Sequence, residues 1–151
     1  MEYRFATSED IELLVSERLK FVEVNESCSE YKLLKNNCYA YFSEALKSDK
    51  CDVILAENDG KCVGTGIIFY YNSVPSTFNV TGKNAYITSM YVAPECRRNG
   101  IGSTILRKLL EKAESKGYEI IMLNASELGK SMYQKFGFTD SKNGMILDRR
   151  K

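Results

Sequence analysis

Three observations predict a mixed α/β (α+β) fold for this 151-residue chain, with a largely antiparallel central sheet flanked by helices. Stretches of strand-like and helical periodicity follow one another in the order β-α-α-β-β-β-α-β-α-β-β. The turn Asn58-Asp59-Gly60 separates two apolar runs, the signature of an antiparallel hairpin. Further on, an apolar segment, Ala85 to Ala93, passes through a short basic glycine loop directly into a helical pattern.

Each element has its own signal. Tyr3-Arg4-Phe5-Ala6 alternates as a short first strand. Thr7-Ser8-Glu9-Asp10 offers a capping box, with Thr7 as the cap, ahead of a helix whose apolar face is Ile11, Leu14, Val15, Leu19 and Val22. A polar break at Asn25–Ser29 precedes a second helix with Leu34, Cys38, Phe42, Ala45 and Leu46 on its inner side. Val53–Ala56 and Cys62–Tyr71 are strands about the Asn58–Gly60 turn, and a long polar loop, Asn72–Asn84, leads to the strand Ala85–Val92. Loops of that length are more often functional or mobile than plain connectors. The third helix is predicted over Thr104–Lys116, closed by Gly117, and the apolar run Glu119–Asn124 reads as a buried strand. Ser126 caps a last helix with Leu128, Met132 and Phe136 on one face. The tail is expected to form a hairpin, Phe138–Asp140 with Met145–Asp148, around Asn143-Gly144.

Bulk properties narrow the classes of function. Residues 1–151 make a single domain by length, able to bury roughly 68–70% of the surface of its unfolded chain. A net charge of +1 gives no case for a nucleic-acid or membrane partner. The charge is unevenly spread: residues 1–30 hold eight acids and three bases, a net of −5, and residues 97–117 hold six bases and two acids, a net of +4. An acidic half suits a cationic amine and a basic half a polyanion. Five cysteines without a C-x-x-C pair, no N-terminal signal peptide and no long apolar run lead to the expectation of reduced thiols and a cytoplasmic location. With no histidine in the chain, Ser-His and Cys-His dyads and imidazole zinc sites are excluded. No metal is expected, and proton transfer falls to Tyr, Glu, Asp, Lys, Cys or water.

The loop Arg97-Arg98-Asn99-Gly100-Ile101-Gly102-Ser103 carries the strongest functional signal. The first N–H groups of a helix lack partners inside it, and the helix dipole favours an anion there. Glycines let the backbone approach a phosphate, and Arg97 and Arg98 add positive charge. The spacing Arg-x-x-Gly-x-Gly fits neither a P-loop nor a dinucleotide fingerprint. In this setting it resembles the pyrophosphate loop of the GNAT superfamily of acyl-CoA-dependent N-acyltransferases. Met132-Tyr133-Gln134-Lys135-Phe136-Gly137-Phe138 is similar to that family's C-terminal signature, a helical tyrosine before a Gly-Phe turn. The resemblance runs from about Lys61 to Leu147, and the element order matches the GNAT arrangement.

The resemblance implies acetyl-CoA as cosubstrate and a set of roles. Arg97, Arg98, Asn99, Gly100, Ile101, Gly102 and Ser103 would hold the pyrophosphate. Met90, Tyr91 and Val92 would pair their backbone with pantetheine, and a main-chain N–H near Met90 would polarise the acyl carbonyl. Tyr133 would be the general acid. The family's Asn-x-x-Ala-x-x-Leu-Tyr pattern is altered here to Ser126, Gly129, Met132 and Tyr133, so Ser126 takes the position of a cofactor-binding asparagine. For deprotonation the candidates are Glu23, Glu26 and Glu57, with Asn124 placing the amine or a water. The implied reaction is transfer of an acetyl group from acetyl-CoA to a primary amine of a small molecule by direct attack in a ternary complex. Two alternatives stand beside it: a protein N-terminal or lysine acetyltransferase, and a non-catalytic acyl-CoA-binding module. Oligomeric state is open, a homodimer being one arrangement.

Overall fold

The computed structural model describes residues 1–141 and 144–150. Its elements are β1 (Glu2–Phe5), α1 (Ile11–Phe21), α2 (Tyr31–Lys47), β2 (Cys51–Asn58), β3 (Lys61–Asn72), β4 (Lys83–Val92), α3 (Ile101–Ser115), β5 (Ile120–Leu123) and α4 (Glu127–Lys135). Short 3₁₀ turns, Ser8–Asp10 and Pro94–Cys96, precede α1 and the glycine loop. The sheet order is β1-β2-β3-β4-β5, antiparallel throughout except for the parallel pair β4–β5, which α3 connects.

Local chemistry starts most of these elements. Thr7 Oγ1 accepts from the Glu9 N–H at 3.3 Å while the Asp10 carboxylate takes the Thr7 N–H at 2.8 Å, the predicted capping box. Arg4 on β1 then donates to both Asp10 and Glu57 at 2.9 Å, joining the cap to β2. Asn58 faces Lys61 across a two-residue turn, with Asp59 at φ 49° and Gly60 at φ 74°. Two successive positive φ values define a type I′ turn, whose twist matches that of the strands.

β2 lies between two strands and under helices on both faces, so Val53, Ile54, Leu55 and Ala56 are all buried. Alternation sends Val53 and Leu55 toward α1 and α2, where Leu14, Val15, Leu19, Phe42 and Ala45 cover them. Ile54 and Ala56 turn to the other side, beneath Ile105, Leu106, Leu109 and Tyr133 of α3 and α4.

Three expectations need correction. α3 begins at Ile101, ahead of the expected Thr104, because a helix opened by glycine carries no capping side chain to mark its start. Leu128 is 92% exposed, and α4 instead turns Met132, Tyr133 and Phe136 inward. Residues 138–141 and 144–148 form no strand, and Asn143, in the expected turn, lies outside the described residues. Met145 and Ile146 are exposed, so nothing covers the apolar side that a hairpin there would need to bury. Asn72 faces Lys83 at the opposite end of β4 from Val92, which places the long loop away from the glycine loop. Ser73, Asn79 and Asn84 tie the loop down: Asn84 Nδ2 donates to Ser73 Oγ at 2.8 Å, and Asn79 Nδ2 to the Lys83 carbonyl at 2.9 Å.

Among the described residues no helix is long and apolar enough to cross a membrane. All five cysteines are free.

Candidate active site

The site begins with a fault in the β3–β4 ladder. Thr65 faces Tyr91 and Ile67 faces Thr88, so Gly66 opposes both Ser89 and Met90. One extra residue on one strand is a β-bulge, which bends the strand and re-aims its groups. Ser89 takes it up at φ 52°, in the left-handed region, and is held by Arg18 of α1, whose Nη1 donates to Ser89 Oγ at 2.6 Å.

Past the bulge, β4 loses its outer neighbour. β5 pairs with Asn84–Ile87 only, leaving Thr88 to Val92 without a strand on that side among the described residues. The Ala93 N–H donates to the Val63 carbonyl at 2.8 Å, toward β3. Strand alternation therefore turns the main-chain groups of Val92 and Met90 to the open side and those of Tyr91 to β3. The Val92 carbonyl accepts from Arg97 Nε at 3.0 Å. Of the three expected strand residues, Met90 and Val92 offer backbone to the opening. Tyr91 contributes its ring instead, edge-on to Phe21 of α1 at 6.4 Å.

The glycine loop leaves the end of this strand. Arg98 (φ 65°) and Gly100 (φ 76°) are both left-handed, which folds successive N–H groups into a concave cradle for an anion. Among the described residues, the N–H groups of Arg98, Asn99, Gly100, Ile101, Gly102 and Ser103 have no hydrogen-bond acceptor; Thr104 is the first that does, bonding the Gly100 carbonyl at 3.0 Å. No acid stands in the first turn of α3 and no side chain caps it. The positive end of the dipole is thus left unneutralised.

α4 brings Tyr133 to the same corner. A Cβ on Gly102 would stand 3.4 Å from Met132 Sδ and 3.7 Å from Val92 Cγ2, so α4, the start of α3 and the open end of β4 converge there. Tyr133 is 8% exposed and lies edge-on to Phe138 at 5.9 Å. Burial raises its phenol above the ordinary pKa near 10 and keeps it protonated. Its hydroxyl has no partner among the described residues, and since no fully buried side-chain polar atom among them is unpaired, that hydroxyl reaches solvent. Ser126 Oγ accepts the Gly129 N–H at 3.2 Å as the cap of α4 and keeps its own proton to donate. Asn124 follows directly on β5 and is exposed.

Of the expected bases, Glu23 follows the end of α1 at φ 57°. Glu57 is committed to Arg4. Glu26 lines a cleft of about 300 Å³ between α1 and α2, with Lys20, Tyr31 and Lys35. That cleft shares no residue with the small recess beneath Ser89, which is lined by Glu17, Arg18, Phe21, Phe42 and Thr65. Glu17 and Arg18 escape a sequence reading because charge on a helix normally marks its solvated face. The available signal is spacing: Leu14, Arg18 and Phe21 recur at i, i+4 and i+7, which places an arginine on the inward stripe.

Residues 15–138 match the model of the acetyltransferase (GNAT) family. The chain belongs to that family. This GNAT chain is 35% identical over 88 residues to the thialysine N-epsilon-acetyltransferase of Sus scrofa, a match covering 56% of the chain and 49% of that protein. It thus spans about half the length of the curated relatives it matches there. An uncharacterized N-acetyltransferase of Archaeoglobus fulgidus is 28% identical over 146 residues, covering 95% of this chain and 92% of its own. Among solved structures, a predicted acetyltransferase with acetyl-CoA from Clostridium acetobutylicum superposes with a TM-score of 0.87 at 31% identity, covering 97% of this GNAT chain and 95% of that one.

Proposed function

We propose that this chain is an N-acetyltransferase that transfers an acetyl group from acetyl-CoA to a primary amine of a small molecule, by direct attack in a ternary complex. The observation that carries the proposal is the row of partnerless amides from Arg98 to Ser103 beside the unpaired end of β4. A diphosphate fits the amides, with Arg97 and Arg98 adding charge, and an extended amide-bearing arm fits the main chain of Met90 and Val92. Bound there, acetyl-CoA supplies an acyl group already activated as a thioester.

The chain's own residues do the rest. A main-chain N–H near Met90 donates to the acyl oxygen, an interaction typically worth roughly 10²–10³ in rate. Tyr133 holds a proton for the departing sulfur, and Ser126 and Asn124 donate at the rim. The ammonium first gives one proton to a carboxylate or a water; the neutral nitrogen then bonds to the acyl carbon as the carbon–sulfur bond breaks, Tyr133 protonates the departing sulfur, and the second nitrogen proton restores Tyr133 through water. Glu17 lines the recess beneath Ser89 and is favoured in that role over Glu26, which does not; Lys20 takes only its Oε1, whereas Arg4 takes both oxygens of Glu57. The thialysine N-epsilon-acetyltransferases, matched over about half their length, support a small amine as acceptor.

Melting temperatures with acetyl-CoA, CoA and Mg-ATP test the cofactor; a ligand at 100 times its Kd stabilises by about 2.7 kcal/mol. Thiol release over a panel of amines, with the protein's own cysteines subtracted, tests the transfer. Acetyl-CoA stabilisation with amine-dependent thiol release is expected. Stabilisation by Mg-ATP alone overturns the reading.

A further inference from the structure

We infer that Arg18 recognises the acceptor, binding a carboxylate carried by the amine substrate. The inference rests on the N-acetyltransferase reading and deepens it.

Arg18 lies in the middle of the inward face of α1, half-buried, and reaches the bulge of β4. Nη1 donates to Ser89 Oγ at 2.6 Å, and the guanidinium lies over the Phe21 ring at 5.4 Å from its centre. Those two contacts fix its plane. They leave Nε and Nη2 without an acceptor among the described residues, and no carboxylate pairs with it there. Neighbouring charges are differently placed: Arg4 is bound by Asp10 and Glu57, and Glu17, the acid nearest in sequence, is paired with Lys20 at 2.7 Å.

A half-buried guanidinium without a counter-charge loses hydration and gains no ion pair. Its free Nε–Nη2 edge is a planar two-donor fork, the shape that takes both oxygens of a carboxylate. Ser89, which it grips, is the residue before Met90, whose main chain faces the open edge where the acyl group would lie. A substrate anchored at Arg18 therefore presents its amine next to the reacting bond. Orientation of that kind raises rate as well as affinity.

The test compares kcat/KM for matched acceptors: an ω-amino acid such as lysine, the diamine of equal length without the carboxylate, and an aminoalkyl phosphate. Wild type is expected to favour the amino acid over the diamine by about tenfold to a hundredfold, the range for a charge-assisted pair. Arg18→Gln collapses that ratio and Arg18→Lys restores part of it, which a purely structural role of the side chain would not do. Acetyl-CoA still raises the melting temperature of Arg18→Gln, showing that it folds. Equal use of amino acid and diamine by wild type, or an unchanged ratio in Arg18→Gln, overturns the inference. An advantage for the aminoalkyl phosphate overturns the carboxylate assignment. Acetyl-CoA binding without transfer to any amine removes the N-acetyltransferase reading, and the inference falls with it.

Discussion

Gly66 of β3 lies directly beneath Ile105 of α3: a Cβ at position 66 would stand 2.5 Å from Ile105 Cγ2 and 2.8 Å from Met90 Sδ. The absence of a side chain lets α3 sit down on the sheet at the bulge, which sets the height of the glycine loop above β4. Gly66→Ala is expected to cost about 1–3 kcal/mol by overpacking, a fall in Tm of roughly 3–10 °C for a chain of this size, read by calorimetry. An unchanged Tm would show that α3 lifts freely.

Tyr133→Phe removes the solvent-reaching hydroxyl and keeps the ring packed against Phe138. The expected result is a loss of about 10²–10⁴ in kcat with the acetyl-CoA shift in Tm retained. Because burial raises this phenol above its ordinary value near 10, it stays protonated through neutral and mildly alkaline pH. A rate profile for wild type should therefore show no alkaline decline from Tyr133 below pH 10. A profile that falls there, and no longer falls in Tyr133→Phe, contradicts the assignment.

Gly100 has φ 76°, and a Cβ there would meet nothing within 4 Å, so alanine is strained by backbone conformation alone. The strain is about 1–2 kcal/mol. Relief by rotation would turn the neighbouring amides out of their cradle. Gly100→Ala should weaken acetyl-CoA about tenfold or more by calorimetric titration, while a wild-type Kd would show that the cradle is not the diphosphate site.

Asp10 closes the capping box and accepts from Arg4, whose guanidinium holds the carboxyl below its ordinary value of 3.8. A carboxylate with a depressed folded pKa stabilises above the unfolded value and loses that contribution as pH falls through the folded one. Asp10→Asn should lower stability by about 1 kcal/mol at pH 7, in line with loss of a helix cap. The gap between the two proteins should close below pH 3.8 in denaturant titrations. A gap that persists in acid would trace the effect to packing.

Much of the fold is legible because it is local. The capping box needs only Thr7 and Asp10 three residues apart, and the hairpin needs only Asp59-Gly60 between apolar runs. The start of α3 is misplaced by the same logic: glycine at the cap leaves no side-chain mark. Leu128 misleads because a single apolar residue on a short helix does not choose which face is covered.

By itself, the sequence determined the succession of elements from β1 to α4, the apolar faces of α1 and α3, and the basic glycine loop with its tyrosine partner, since capping, turn chemistry and periodicity act between residues a few positions apart. Only the tertiary structure decided that β4 bulges at Ser89, that β5 parts from it after Ile87, that Glu17 rather than Glu26 lines the recess, and that Arg18 reaches Ser89 with its Nε–Nη2 edge unpaired among the described residues. Those features arise from register and packing between segments as far apart as Arg18 and Ser89, whose separation in the chain leaves no local pattern to read.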